Sequence, residues 1–583
     1  MKESFLKMAG LLRRPWYRMP VELRQALALA VLGAGTGLVA VLFHFSVEEI
    51  SRWTFVHFKD GGKLRFLLGS LGCVMAGVLV VTWLVRAVEP SCEGGGVMPT
   101  KLAFWKNFGA MRLRTAWVKF AGSAVTLGSG VSMGPEGPAV QIGAATMSAA
   151  AGRFGVPAGR RRAYAAAGAA AALAAVFNAP LTAIAFVLEE IIGDLSSRFI
   201  GGIVVAAVMG ALVAHALIGP QPAFQAAPLG DASWRGMLLC PLVALLAALA
   251  GVGFQRGTLA VRGRFKSQRR IPGWARPALG ALATWVLGGA AFLLTGRVGV
   301  FGVGYADVTA CIQGGLVWWS ALALGAAKLG ATMLAVGASC CGGIFAPNLF
   351  VGAMCGGAVA GLAALAMPLT HSDQAMLVMA GMCACLGAVI RTPVSCILLI
   401  FEVTHQFAIV PLLLVATVVS QLVSRRLNRE GMYEGMMRQD GEDPDRVLPP
   451  HDYHRWREIP CGALLERTPV AAASLEPGAL RELLAAHPYE RFPVRAPDGS
   501  IAGILTRREA ERLIEEGGGK PDLSPAQWIP GHAPVALVQR MLTEAPENVL
   551  CVGDEQEQRL RGLLTAHDLL RGQIKLAEEE MGE

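Results

Sequence analysis

Charge is what this sequence has least of. Asp, Glu, Lys and Arg make up 16% of 583 residues, apolar residues 54%, and mean hydropathy is +0.48. So little charge excludes one large soluble domain and indicates an integral membrane protein with room for more than one domain. Cysteine patterning is missing too. The 12 cysteines are scattered, without CxxC or His-paired spacing, so neither a disulfide framework nor a metal site is expected. Apolar helices use Cys as a small hydrophobe, and the adjacent Cys340-Cys341 is read that way. No short apolar core with a cleavage site follows the basic N-terminus (Lys2, Lys7, Arg13, Arg14, Arg18). Residues 1–25 are therefore expected to be a retained cytoplasmic segment, not a signal peptide. No nucleophile constellation occurs, so enzymatic activity is not expected.

The charge that is present is divided sharply. Of 52 basic and 43 acidic residues, 18 and 28 lie in residues 429–583, a net of −10; the preceding 428 residues carry +19. The boundary falls near Asn428, and the overall +9 is no argument for a nucleic-acid partner. The basic excess of the first part sits mostly in short loops, where it sets topology.

Deep in the apolar part lies Gly128–Ala144, GSGVSMGPEGPAVQIGA, with one acid, Glu136, between Pro135 and Gly137-Pro138. Pro138 suits the first turn of a helix. That helix would aim its free N–H groups and positive dipole end at the glycine-rich segment, making an anion site with a carboxylate at its mouth. Glu136 either caps its helix or acts as a functional ionisable group within the bilayer.

The stretch occurs twice. A shift of 209 residues carries Lys119–Ala144 onto Lys328–Ala353, with Lys119/Lys328, Gly128/Gly337, Gly134/Gly343, Pro138/Pro347, Gly143/Gly352 and Ala144/Ala353 identical. A shift of 213 aligns FNAPLTAIAFVLEE from Phe177 with IRTPVSCILLIFEV from Ile390, pairing Pro180 with Pro393, Ile184 with Ile397 and Glu189 with Glu402. Glycine-broken, proline-started segments in matching halves point to half-helices meeting near the membrane midplane. The alignment leaves open whether the repeats are parallel or inverted.

Leu27–Phe45 and Leu67–Val85 are apolar runs long enough to span a bilayer. The glycine-rich Pro90–Pro99 interrupts the pattern, and such backbone is tolerated at membrane depth only when protein or a water-filled cavity surrounds it. Further apolar segments are expected at Trp117–Gly128, Ala165–Val176, Pro180–Ile192, Ile200–Ile218, Leu238–Ala260, Ala278–Leu294, Ala321–Val336, Phe345–Met367, Ala375–Val389, Pro393–Val403 and Val410–Val423. A basic loop (Arg262, Arg264, Lys266, Arg269, Arg270) is expected on the cytoplasmic side, as are Arg425, Arg426 and Arg429. Lys119, midway along an apolar helix, needs a partner, and Glu402 is the expected one. From Leu464 the composition is that of a soluble α/β domain. Arg491–Leu513 reads strand, Asp-Gly turn, strand, helix, and Glu547–Leu570 repeats the plan.

These residues resemble the CLC family of chloride channels and chloride/proton antiporters, followed by a pair of CBS domains. Gly134-Pro135-Glu136-Gly137-Pro138 matches the family's Gly-basic-Glu-Gly-Pro signature, and Gly343-Ile344-Phe345-Ala346-Pro347 its Gly-x-Phe-x-Pro. FNAPLTAIAFVLEE looks like its helix with an internal glutamate pair, and Tyr433 stands where its anion-site tyrosine does. Two departures are evident. Gly95-Gly96-Val97-Met98-Pro99 stands for Gly-Ser-Gly-Ile-Pro, placing Gly96 where a serine would donate, and Pro135 replaces the basic residue.

The resemblance implies an α-helical polytopic fold of tilted and broken helices over residues 26–440, a linker over 441–463 and a cytosolic α/β CBS pair over 464–583. It implies a homodimer in a lipid bilayer, expected to be a bacterial inner membrane with both termini cytoplasmic. Chloride and protons are the implied partners. The anion would be held near Gly96, Gly134 and Gly137 by the N–H groups of Ile344 and Phe345 and by the Tyr433 hydroxyl; without the family, Phe345 is core packing and Tyr433 an interface anchor. Glu136 would be gate and proton carrier together. Glu190 would be the internal proton-transfer acid, which favours an antiporter; taken alone, Glu189 and Glu190 equally describe a solvated helix end.

No resident cofactor is expected. Thr565 and Asp568 resemble the CBS nucleotide motif and Thr506 a weaker copy, so ATP, ADP or AMP is an expected regulatory ligand, a purely structural linker being the alternative. Rival readings are a voltage- or pH-gated chloride channel without proton coupling, a CBS-regulated divalent-cation transporter and a membrane-anchored nucleotide-dependent enzyme. A cation transporter would cluster carboxylates in its spans, whereas the few acids here follow the anion-family pattern.

Overall fold

The computed structural model describes residues 20–59, 62–195, 199–220, 224, 227–268, 270–447, 459–465, 469–554 and 559–572. Lys2, Lys7, Arg13, Arg14, Arg18, Arg269 and residues 448–458 of the expected linker lie outside them. The chain divides into two compact units, Met1–Leu448 and Pro449–Glu583.

The first unit is all helical. It runs α1 (Val21–Lys59), α2 (Lys63–Val88), α3 (Val97–Lys106), α4 (Leu113–Gly128), α5 (Glu136–Arg153), α6 (Arg162–Phe177), α7 (Pro180–Phe186) and α8 (Ile200–Leu217). Its second half is α9 (Trp234–Ser267), α10 (Ala275–Thr295), α11 (Tyr305–Ile312), α12 (Trp318–Gly337), α13 (Phe345–Ala363), α14 (His371–Ile390), α15 (Pro393–Thr404), α16 (Val410–Leu427) and α17 (Met432–Gln439). Among the described residues nine helices are long and apolar enough to cross a membrane. This is a multi-pass integral membrane protein. The apolar cores of these helices match the expected segments, but several extend into polar sequence. In particular, Arg262, Arg264 and Lys266 are not in a loop; they form the last turns of α9. Cations there oppose the negative end of the helix dipole, so the basic run extends the helix.

The repeats are inverted. Glu189, just beyond α7, accepts hydrogen bonds from Val394 N, Ser395 N and Ser395 Oγ at the start of α15, at 3.1, 2.8 and 2.5 Å. Glu402, near the end of α15, accepts from Leu181 N, Thr182 N and Thr182 Oγ1 at the start of α7, at 2.9, 2.7 and 2.6 Å. Each helix thus ends beside the beginning of its equivalent, so the two run antiparallel. The exchange satisfies N–H groups that both helices leave free. Close packing repeats the same symmetry. A Cβ on Gly143 would come within 2.2 Å of Gly168 O, and one on Gly352 within 2.2 Å of Gly381 O. In lipid, such small-residue crossings let helix backbones touch, and the gain is dispersion. The buried α14, carrying Met, Ala, Cys and Gly on all sides, forms the middle of the second half.

The repeated lysines follow suit. Lys119 does not pair with Glu402. Its Nζ donates to Cys92 O and Gly94 O at 3.0 and 2.5 Å, and Lys328 Nζ donates to Gly299 O, Val300 O and Gly302 O at 3.0, 3.2 and 2.6 Å. Each fully buried lysine gathers the carbonyls of the irregular segment leading to a short helix, α3 or α11, where regular structure supplies no donors.

The second unit holds the strand–strand–helix plan twice. β1 (Arg491–Arg495) pairs antiparallel with β2 (Ile501–Thr506), followed by α19 (Arg507–Glu515), with α18 (Pro477–Ala486) ahead of β1. β3 (Trp528–Ile529) runs parallel to β4 (Val549–Asp554), with α20 (Val535–Glu544) between them, and β4 pairs antiparallel with β5 (Arg559–Thr565). Ala472 bridges Val494 in parallel, as β3 does β4 in the second module. Each module has its own core, Leu480, Val494, Leu505 and Leu513 in one and Val538, Leu542, Leu550 and Leu564 in the other.

Candidate functional site

At the centre of the membrane unit the two equivalent loops meet. Gly134 N donates to Gly343 O at 2.9 Å and Gly343 N to Gly134 O at 2.6 Å, an antiparallel bridge between residues that correspond in the repeat. α5 begins at Glu136 and α13 at Phe345, so the positive ends of two equivalent helices face this bridge. α3 brings a third N-terminus, with Gly96 as its N-cap.

Glu136 is fully buried in the first turn of α5. Its Oε1 accepts from the Tyr305 hydroxyl at 3.0 Å, and Oε2 has no hydrogen-bond partner. That oxygen faces the bridge: a Cβ on Gly134 would lie 2.2 Å from it, and one on Gly343 3.4 Å. A side chain at 134 would push the carboxylate from this position. A half-satisfied buried acid is costly to keep for packing alone. Tyr305, at the start of α11, was not legible as a partner; 169 residues separate the two and no motif links them.

A cavity of about 340 Å3 borders the bridge, lined by Gly96, Gly137, Gly343, Ile344 and Tyr433 among others. It thus gathers Gly96, Gly137, Ile344 and Tyr433 from the expected anion-site residues. Gly134, Glu136 and Phe345 do not line it; Phe345 packs edge-on against Phe186 at 5.0 Å between ring centroids. Gly96 corrects the expectation of a simply missing serine donor. Its φ is +117°, and a Cβ there would meet Gly137 O at 2.4 Å. The backbone has taken a conformation that excludes a side chain, so serine does not fit this loop as it stands.

Glu190 lies elsewhere. After α7 the chain widens into a π turn, Val187–Ile192, which holds both acids. Such turns are local departures often found at functional sites. The pair is not a solvated helix end: Glu189 serves α15, and Glu190 Oε1 accepts from Lys101 Nζ of α3 at 2.8 Å. Lys101 gave no sequence signal: it stands midway along the ten-residue α3, and no motif links it to Glu190.

In the second unit, Thr506 is the N-cap of α19, its hydroxyl accepting from Glu509 N at 3.2 Å. Thr565 and Asp568 form a reciprocal cap: Thr565 N and Oγ1 donate to Asp568 Oδ2 at 3.0 and 2.6 Å. Thr565 and Asp568 also line a cavity of about 500 Å3 with Tyr489, Arg491, His567 and Arg571; Thr506 does not. Glu509 is held below the usual carboxylate range by Arg512 beside it, with a further hydrogen bond from Asp522 N.

Broken helices whose N-termini converge across a pseudo-twofold define the class of inverted-repeat ion transporters and their channel relatives. The chain belongs to the family described as Voltage gated chloride channel, whose sequence profile matches residues 76–425. It is 28% identical over 437 residues to the H(+)/Cl(-) exchange transporter ClcA of Salmonella paratyphi B, covering 73% of this chain and 90% of that one. The fold is similar to that of a slow cyanobacterial Cl-/H+ antiporter, with a TM-score of 0.63 and 23% identity over 72% of this chain and 98% of the other. A eukaryotic CLC transporter matches with a TM-score of 0.61 and 19% identity, over 94% of this chain and 98% of its own.

Proposed function

We propose that this protein exchanges chloride for protons across a membrane. The observation that carries the reading is the placement of Glu136, buried at a helix N-terminus with one oxygen on Tyr305 and the other unpartnered against the Gly134–Gly343 bridge. A carboxylate in that position competes for the donors an anion would use. Protonation removes its charge and with it the competition, which joins anion access to proton movement. Gly96, Gly137, Ile344 and Tyr433 bring backbone dipoles and a phenol to a cavity whose lining also includes Glu93, Arg262 and Asp440. Several modest donors suit a halide that must also leave. Phe345 N–H, at the start of α13, is a further donor in this reading, although Phe345 does not itself line the cavity.

Glu190 is the acid on the opposite proton route, held by Lys101. The relative named above is an H(+)/Cl(-) exchange transporter, which supports exchange as the activity. The protein works as a homodimer in a bacterial inner membrane, with both termini cytoplasmic. ATP, ADP or AMP binds the cavity of the second unit at Thr565 and Asp568 and regulates transport. The test is proton uptake into proteoliposomes driven by an imposed chloride gradient. Uptake that follows the gradient and stops in Glu136→Gln supports exchange; chloride flux without proton movement makes the protein a channel.

A further inference from the structure

The opening of the central cavity carries charges that the proposed exchange does not use. Arg262, in the last turns of α9, and Asp440 line the same cavity as Gly96, Ile344 and Tyr433. Arg262 Nη2 donates to both oxygens of Asp440 at 2.8 and 3.0 Å, and Nη1 donates to Gln439 Oε1 at 3.2 Å and Met436 O at 3.4 Å. Lys266, one turn further along α9, bonds the same carboxylate and donates to Gln439 O at 2.8 Å. The Arg262 side chain is 12% exposed and that of Asp440 26%, so the pair is partly sheltered but still reached by solvent.

Asp440 is the C-cap of α17, where the helix dipole is negative and favours a cation. Helix stability alone therefore does not account for an acid at this position. Arg262 and Lys266 already meet the carbonyls of Met436 and Gln439. What Asp440 adds is charge: it opposes Arg262 in a cavity lining whose other charged residue is Glu93. At about 1.5 Å per helical residue it stands about 10 Å along α17 from Tyr433. That is about one Debye length at 0.1 M salt, close enough to act on an anion approaching the cavity.

We propose that Arg262 is the first anion subsite on the path to the cavity, and that Asp440 is a tethered competitor which an arriving anion displaces. The inference rests on the anion-transport reading above. The Nη2 group that donates to both carboxylate oxygens can donate to a small anion in their place. Asp440 thus lowers anion occupancy at low concentration, and its influence is electrostatic and screened by salt.

The experiment uses the full-length protein in proteoliposomes. Initial chloride flux is measured at subsaturating chloride, in low and high ionic strength set with impermeant salt. Asp440→Asn keeps the shape and part of the hydrogen bonding. It should raise flux roughly two- to fourfold at low ionic strength, the effect of a unit charge about 10 Å away in a largely aqueous setting. The gain should vanish at high ionic strength. Arg262→Gln should lower flux by a similar factor, Arg262→Lys should retain most of it, and the proton-to-chloride ratio should stay constant throughout. Flux in Asp440→Asn equal to or below wild type at both ionic strengths, with wild-type thermal unfolding, overturns the proposal and leaves the cluster a helix cap. Should Asp440→Asn fail to fold, equal flux in Arg262→Gln and Arg262→Lys overturns it as well. A wild-type protein that moves no chloride overturns the transport reading itself, a distinguishable result.

Discussion

Lys101 Nζ lies 2.8 Å from Glu190 Oε1, and the two side chains are only 9% and 8% exposed. They join α3, whose N-terminus faces the central cavity, to the π turn after α7. A buried pair of this kind contributes little net stability, but removing one member strands the other. The pair therefore ties the frame of the anion site to the acid of the proposed proton route.

Lys101→Met should destabilise the protein by on the order of 3–5 kcal/mol, because it leaves the Glu190 carboxylate buried without its cation. Adding Glu190→Gln should restore most of that loss, measured as thermal unfolding in detergent. Transport separates the roles: Glu190→Gln alone should stop proton movement while chloride flux continues. Proton pumping at the wild-type ratio in Glu190→Gln would remove this acid from the route. A double variant no more stable than Lys101→Met would show that the two residues are not coupled.

Glu136→Gln is nearly isosteric and carries no proton to exchange at ordinary pH. It should uncouple chloride from proton movement and flatten the pH dependence of flux. Glu136→Ala should uncouple too, by clearing space against Gly134 and Gly343 for an additional anion. Tyr305→Phe removes the hydroxyl that donates to Oε1, a bond worth about 1.5–3 kcal/mol to a charged acceptor. It should free the carboxylate and shift the pH profile while preserving coupling. Paired chloride and proton fluxes across about two pH units check all three; an unchanged profile in both Glu136 variants reduces Glu136 to a helix cap.

Gly96→Ser should weaken chloride binding and stability rather than improve them. The residue sits at φ +117° with Gly137 O 2.4 Å from where a Cβ would be. A non-glycine residue in such a conformation costs about 1–3 kcal/mol, and the α3–α5 approach must open to admit it. Calorimetric titration with chloride and an unfolding curve decide the matter. Tighter binding at wild-type stability would mean that the loop relaxes freely and that serine regains its donor role.

Thr565→Ala and Asp568→Ala should each weaken adenine-nucleotide binding to the full-length protein more than Thr506→Ala does. The first two residues line the 500 Å3 cavity and the third lies outside it. Each threonine change also removes a cap, worth about 0.5–2 kcal/mol, so Thr506→Ala is the matched control for lost stability. Equal effects at Thr506 and Thr565, or no binding at millimolar nucleotide, would leave the second unit structural.

Features that depend only on a residue's near neighbours in the chain were legible from the order of amino acids. Apolar runs marked the spanning helices, the charge shift at Asn428 preceded the boundary between units, and the twice-written glycine-proline stretches located the two loops that bridge at Gly134 and Gly343. These are legible because a proline, a glycine or a run of apolar residues constrains its own backbone wherever it stands. Tertiary structure decided whatever depends on which distant segments share a place. It set the inversion of the repeats, seen only when Glu189 and Glu402 cap each other's helices. It gave Lys119 backbone carbonyls instead of Glu402, and it brought Tyr305 to Glu136 and Lys101 to Glu190 across 169 and 89 residues. In an apolar surrounding each buried charge must find donors or acceptors, but many arrangements of the same residues can supply them. Helix packing selects among these arrangements through contacts at glycines such as Gly143 and Gly168, whose pairing no single segment encodes.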